Sequence, residues 1–332
     1  MKKDLDVILI GRIAIDFNPV ETHRGLEDSH TFKKYLGGSP ANIAVGMARL
    51  KKRVGFIGMV SDDQFGTFVL RYFQKEGIDT SHIVRARHGE KLGLTFTEIK
   101  SDTESSILMY RNEVADLKLE VSDIDEEYIQ RAEYLIISGT ALARSPSREA
   151  TLKALSFAQK HQVKVVFDID YRSYTWQNHD ELSIYYSIVA EKSDIIIGSK
   201  EEYDLTYSLL QKRLSDEEIA QQAGVFGTQI VVIKHGKEGS LVYNQDAIYQ
   251  VKPIPVKLLK SFGGGDAYAS AFMYGLLEGL PMDETLLLAS ASASMLVSSH
   301  SCSEDMPTIE QLRKFLLEKQ EIIDKEVIIR RL

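Results

Sequence analysis

With a single cysteine, Cys302, the chain can form no internal disulfide and no cysteine-clustered zinc or iron–sulfur centre. There is no basic surplus: 40 Lys and Arg face 48 Asp and Glu, for a formal net charge of −8. Nucleic-acid binding, which depends on clustered cations neutralising phosphates, loses its electrostatic basis. No segment approaches the ~20 apolar residues a membrane span needs. The opening "MKKDLDVILIG" carries Asp4 and Asp6 ahead of an apolar run too short for a secretory signal. These absences predict a cytoplasmic protein whose partners include neither nucleic acid nor membrane. Familiar phosphate signatures are missing as well: no G-x-x-x-x-G-K-[ST], no G-x-G-x-x-G after a strand, no H-R-D with D-F-G.

The 332 residues, 44% hydrophobic and 27% charged, do carry a regular rhythm. Short unbroken apolar runs recur at 6–11 (DVILIG), 54–60 (VGFIGMV), 134–139 (YLIISG), 163–170 (VKVVFDID), 194–198 (DIIIG) and 230–236 (IVVIKHG). Runs without alternation suit strands buried on both faces. Amphipathic stretches lie between them, one starting at Ser147, others marked by capping boxes at Ser215/Glu218 and Thr308/Gln311. Alternating β and α elements predict an α/β fold, a doubly wound and mostly parallel sheet with helices on both faces. Segments 12–36 and 91–113 break the rhythm with shorter, more polar strand-like pieces and a hairpin around Ser101–Ser105. With no repeat or linker in view, the expectation is one domain over 1–332, with these two segments forming a small β-sheet lid.

"KSFGGGDAYASAF" (260–272) sets three glycines and an aspartate at the start of a buried helix. A flexible turn would explain one glycine. Three in a row leave successive amides unobstructed, and the helix adds its own free N–H groups and the positive end of its dipole at the same place. Gly263, Gly264 and Gly265 therefore read as an anion hole for phosphate or for charge on a transferring phosphoryl group. Asp266 has two readings: favourable dipole chemistry, or a general base that takes the proton of an attacking hydroxyl.

With "GGSPANIA" (37–44) more than 220 residues upstream, this motif makes the chain resemble the ribokinase-like (PfkB-type) carbohydrate kinases along nearly its whole length. The resemblance implies ATP and Mg²⁺ as cosubstrate and cofactor, Asp266 as catalytic base, and Gly263–Gly265 as the anion hole. It implies that Asp16, Gly37, Gly38 and Asn42 hold sugar hydroxyls. "GSKEE" (198–202) falls where the family has N-x-x-E; Gly198 replaces the Asn, and Glu201 is the residue carried over to place Mg²⁺ through water. Glu202 pairs with Ser199 as a capping box. "KHGKEG" (234–239) and Ser261 imply nucleotide contacts from Lys234, Gly236, Gly239 and Ser261.

"DIDYRSYTW" (168–176) follows a buried strand, where open α/β sheets bind ligands. Similar strings occur in the branch of the family acting on keto-deoxy sugar acids and fructose. Asp170 and Arg172 become substrate candidates, Arg172 as a fork for a carboxylate or as a surface ion pair. Arg111 is a second candidate for the acid group. The expected activity is an ATP-dependent kinase for a six-carbon keto-deoxy sugar acid, with a fructokinase or a non-catalytic sugar-acid sensor as alternatives. The family's Asp near a monovalent-cation site is Lys260 here, so its ammonium stands in for potassium or else points to solvent. An exposed lid could also pair two copies.

Overall fold

The computed structural model describes residues 3–101, 104–244, 247–326 and 330–331. Fourteen strands occur among them: β1 (Leu5–Ile10), β2 (Ala14–Pro19), β3 (Phe32–Gly37), β4 (Val54–Val60), β5 (Asp79–Arg85), β6 (Gly93–Ile99), β7 (Ser105–Tyr110), β8 (Ala132–Ser138), β9 (Lys164–Asp168), β10 (Ile195–Ser199), β11 (Ile230–Lys234), β12 (Ser240–Asn244), β13 (Ala247–Val251) and β14 (Arg330–Arg331). Ten of these make one sheet in the order β14-β13-β12-β11-β10-β9-β8-β1-β4-β5. It is parallel from β11 to β5 and antiparallel beyond. The apolar runs of the sequence are its central strands. All seven residues of β4 are buried. Along β1, Val7 and Leu9 enter one core cluster while Ile8 and Ile10 enter the other, because successive strand side chains point to opposite faces. Both faces are thus covered by helices, as an α/β sheet requires.

Chain order fixes where a ligand fits. From β1 the chain moves to β4 on one side, and from β8 it moves to β9 on the other, so the crevice at the C-terminal ends of β1 and β8 is the topological switch point. Residues 11–13 and 139–142 line that crevice.

The remaining strands form a separate sheet in the order β3-β2-β6-β7. They come from the two polar segments that broke the sequence rhythm. The β6–β7 hairpin has the expected position, though its tip residues 102–103 lie outside the described residues. Register places Asp16, Thr95 and Met109 in one row on the inner face, and Phe17, Phe96 and Leu108 in the next row on the outer face. A loop near the C-terminus fastens the inner edge: Asn18 Nδ2 donates to the His300 carbonyl (2.7 Å), and Ser303 Oγ donates to the Leu36 carbonyl (2.8 Å). His300 Nε2 donates to the Pro19 carbonyl, so its Nδ1 accepts from the Tyr35 hydroxyl, both at 2.8 Å. No helix among the described residues is long and apolar enough to cross a membrane.

Candidate active site

Two helix N-termini meet over the sheet. The helix Ser39–Arg49 follows Gly37 and Gly38, and the helix Gly264–Leu277 follows Gly263. Ser39 and Asn42, about one turn apart, share a face. Ser39 Oγ donates to Asp266 Oδ1 (2.7 Å), and Asn42 Nδ2 donates to Asp266 Oδ2 (2.8 Å). Each carboxylate oxygen keeps a free lone pair while its position is fixed. Asp266 stands in the first turn of a helix that no side chain caps. The helical ladder begins when the Ala267 amide donates to the Gly263 carbonyl, so the amides of Gly264, Gly265 and Asp266 have no intrahelical acceptor.

The three glycines have separate reasons. Gly263 takes φ 84°, a left-handed conformation, and a Cβ there would lie 2.6 Å from Cys302 Sγ. A Cβ on Gly264 would press Val297 at 2.9 Å, and one on Gly265 would approach the Lys234 ammonium at 3.3 Å. The glycine run thus brings a lysine to the free amides. Burial opposes the Lys234 charge, but Asp168, Glu202, Asp266 and Asp170 outweigh it and raise its pKa, so the ammonium stays protonated. Burial, then the charge of Asp170, raises the Asp266 pKa, while the bonds from Asn42 and Ser39 and the charge of Arg172 pull it back. Asp168, at the end of β9, is raised by burial first, with Lys234 opposing; its Oδ2 lies 3.4 Å from Ser39 Oγ.

Asp16 projects from β2 toward Gly37. A Cβ on Gly37 would fall 2.0 Å from Asp16 Oδ1, so only glycine leaves the carboxylate its place. Burial pushes the Asp16 pKa up to about 6, with the Arg12 guanidinium holding it down. Asp170 sits at φ 38° and accepts from Ser138 Oγ (2.9 Å). Its other oxygen pairs with Arg172 Nη2 (2.8 Å), and Arg172 Nη1 donates to the Tyr171 carbonyl (2.7 Å). Arg172 thus uses both Nη groups within its own loop, in an ion pair whose arginine side is 32% exposed. Arg111 is buried, and its Nη2 serves both Asp116 and the Thr140 carbonyl, while its Nε and Nη1 are buried without an acceptor.

Glu201 needs correction. Its side chain is solvent-exposed, and the carboxylate turned to the site is Glu202, whose charge acts on Asp168, Lys234 and Arg172. The frame is Ser199-x-x-Glu202: the capping box makes Glu202 the third helical residue, and a helix turns its neighbour about 100° away. Glu202 Oε1 also accepts from the Tyr171 amide (2.8 Å), tying the arginine loop to this helix.

Beside the glycine run opens a cleft of about 1060 Å³. Lys234, Gly236, Gly239 and Ser261 line it, with Val251, Ile254 and Tyr268 as apolar wall. Ser261 Oγ lies 2.6 Å from Ser105 Oγ of β7, joining the small sheet to the rim of this cleft. Lys260 does not point to solvent. It is 2% exposed, and its Nζ donates to the Ser301 carbonyl (2.6 Å) and to Cys302 Sγ (3.4 Å). Sequence reasoning missed Ser39, Asp168, Glu202 and Arg12; only the 37–44 motif contained a signal, a hydroxyl three positions before the asparagine.

The arrangement has relatives. The pfkB family carbohydrate kinase pattern matches residues 4–309. A 5-dehydro-2-deoxygluconokinase of Clostridium perfringens is 62% identical over 321 residues, covering 96% of this chain and 95% of the relative. Among solved structures, a double mutant of the Vibrio cholerae fructokinase with fructose, ADP and potassium ion superposes with TM-score 0.81 at 25% identity, over 95% of this chain and 100% of that one. The Xylella fastidiosa fructokinase with bound ATP gives 0.82 at 25% identity, over 96% and 100%.

Proposed function

The chain belongs to the pfkB family of carbohydrate kinases, and on that premise we propose that it transfers the γ-phosphoryl group of ATP to the C6 hydroxyl of 5-dehydro-2-deoxy-D-gluconate, a cytoplasmic step of myo-inositol catabolism. The observation that carries the chemistry is the doubly held Asp266 beside the free amides of an uncapped helix and the Lys234 ammonium. The substrate rests on the 62% identity to the Clostridium perfringens enzyme.

We read residues 1–332 as one kinase domain and the small sheet as its lid. Asp16, Asn42 and the Gly37–Gly38 backbone orient the sugar hydroxyls. Asp266 aligns the C6 hydroxyl with the γ-phosphorus and accepts its proton, while the Gly263–Gly265 amides and Lys234 stabilise the spreading charge. The lid excludes water, which would otherwise compete as acceptor. No cluster of three metal-ligating side chains occurs among the described residues, which suits an ion held chiefly by nucleotide phosphates and water. Glu202 would hold the magnesium through its water, and the ion when bound neutralises phosphate charge. The Lys260 ammonium, seated on a backbone carbonyl beside the anion hole, takes the place of a monovalent cation.

Coupled ADP release with Mg-ATP and, in parallel, 5-dehydro-2-deoxygluconate, 2-keto-3-deoxygluconate and fructose tests both statements. The expected result is selective turnover of the first at the same rate in potassium and tetramethylammonium buffers. Preference for another sugar overturns the substrate, silence with all three revives the sensor, and a strong potassium requirement removes the role given to Lys260.

The lid's outer face supports a pairing of two copies. Phe17 and Phe96 stack there at 5.1 Å, and beside them Leu108 and Tyr110 are 44% and 57% exposed. A contiguous aromatic patch of this kind marks an interaction surface. Sedimentation at micromolar concentration is expected to show a dimer that Leu108→Glu converts to monomer; a monomeric wild type refutes the pairing.

A further inference from the structure

Three arginines close the sugar end of the crevice, and their ion pairs differ. The charges of Arg12, Arg172 and Arg111 all bear on the phenol of Tyr174, which places the three guanidiniums in one neighbourhood. Arg172 is matched by Asp170 and Arg111 by Asp116, so the charge of each has a carboxylate even though Arg111 Nε and Nη1 have no acceptor. Arg12 follows β1 at the switch point and is 4% exposed, yet no carboxylate among the described residues lies within ion-pair distance of it. Its Nη1 donates to Met109 Sδ at 3.3 Å, and its buried Nε has no acceptor. A thioether is a weak acceptor, and a guanidinium buried without an anion is a costly arrangement for a fold to keep. The alternatives nearby are spoken for. Asp16 feels the charge of Arg12 without pairing to it, and Met109 shares the inner row of the small sheet with Asp16. Arg12 thus stands between the lid and the sugar cleft. With Nη1 on Met109, the Nε–Nη2 edge is left, the side of the fork that engages both oxygens of one carboxylate.

We infer that Arg12 is the carboxylate receptor of the substrate site, the residue that selects a sugar acid over a neutral sugar, and that Arg172 and Arg111 act as supports for the loops around it. This rests on the sugar-acid reading above. The ion-pair ledger gives it a signature apart from activity. Replacing an unmatched buried cation by an apolar chain of similar length removes a cost, whereas removing Arg172 strands the carboxylate of Asp170.

The test compares wild type, Arg12→Met, Arg12→Lys and Arg172→Met by thermal denaturation and by kinetics, each with 5-dehydro-2-deoxygluconate and with fructose. Ligand-free Arg12→Met is expected to melt at or above the wild-type temperature and Arg172→Met below it. The acid should raise the wild-type Tm and leave that of Arg12→Met unmoved. KM for the acid should rise on the order of 10²-fold in Arg12→Met, the range for a site whose polar contact is lost, with a smaller rise in Arg12→Lys and little change in any turnover of fructose. An unchanged KM for the acid in Arg12→Met, or a lowered Tm of its ligand-free form, overturns the inference and leaves the kinase reading intact. A wild type that neither turns over the acid nor gains Tm from it overturns both.

Discussion

Asp266→Asn is expected to lower kcat by about 10²–10⁴ with little change in ATP binding. Asparagine keeps the shape, and the site can accept it: Asn42 Oδ1 is buried without a partner, so its amide can turn to receive the new N–H₂ while Ser39 still donates to the other side. What is lost is the proton acceptor alone. The same substitution should stabilise the protein, because burial and the charge of Asp170 disfavour the ionised carboxylate in the fold. The sign follows from linkage: a raised folded pKa means stability present at low pH and lost as pH rises. The loss begins at about pH 4, where the unfolded carboxyl ionises, and is complete above the folded value. Melting curves of the two proteins should therefore coincide in acid and separate toward neutrality. Equal loss of ATP affinity and kcat, with a lower Tm, would make Asp266 a structural residue.

Gly37→Ala should have the second largest effect. An alanine Cβ would sit where the Asp16 carboxylate now is, 2.0 Å from its oxygen. Either the side chain swings away or β3 shifts against β2, and a displacement of about 1 Å at a positioned group costs around 10² in rate. The expected loss in kcat/KM is of that order and falls on the sugar, with the KM for ATP preserved. Strain from overpacking adds about 1–3 kcal/mol of destabilisation. A double-mutant cycle isolates the cause: in an Asp16→Ala background the added methyl has room, and Gly37→Ala should cost almost nothing further. An equal cost in both backgrounds would place the role of Gly37 in the turn itself.

How far the sequence could be read follows from how local each signal is. The central strands showed as apolar runs because both faces of β4 or β10 are buried, and the capping boxes at Ser199, Ser215 and Thr308 are confined to four residues each. The glycine run stood out because a Cβ on Gly263 would strike Cys302 and one on Gly264 would press Val297. The antiparallel strands β12 and β13 were not legible: they are five residues each and only partly buried. Glu201 and Glu202 are adjacent identical letters, and only the helix rotation separates them. Nothing in "GRIAIDF" tells that Arg12 is buried while Lys260, on a loop, is more buried still. Those facts arise from strands and loops hundreds of residues apart.

That separation bears on how the enzyme is made. Asp266 takes its bonds from Ser39 and Asn42, 227 and 224 residues earlier, and the loop at His300 and Ser303 closes on Asn18 and Leu36 across 282 and 267. At about 5–20 residues per second, the ribosome delivers Ser39 and Asn42 roughly 10–45 seconds before Asp266. A chain terminated before Gly263 lacks Asp266 and the helix that carries it. The joined site is a late folding event, formed when the helix Gly264–Leu277 docks on the helix Ser39–Arg49.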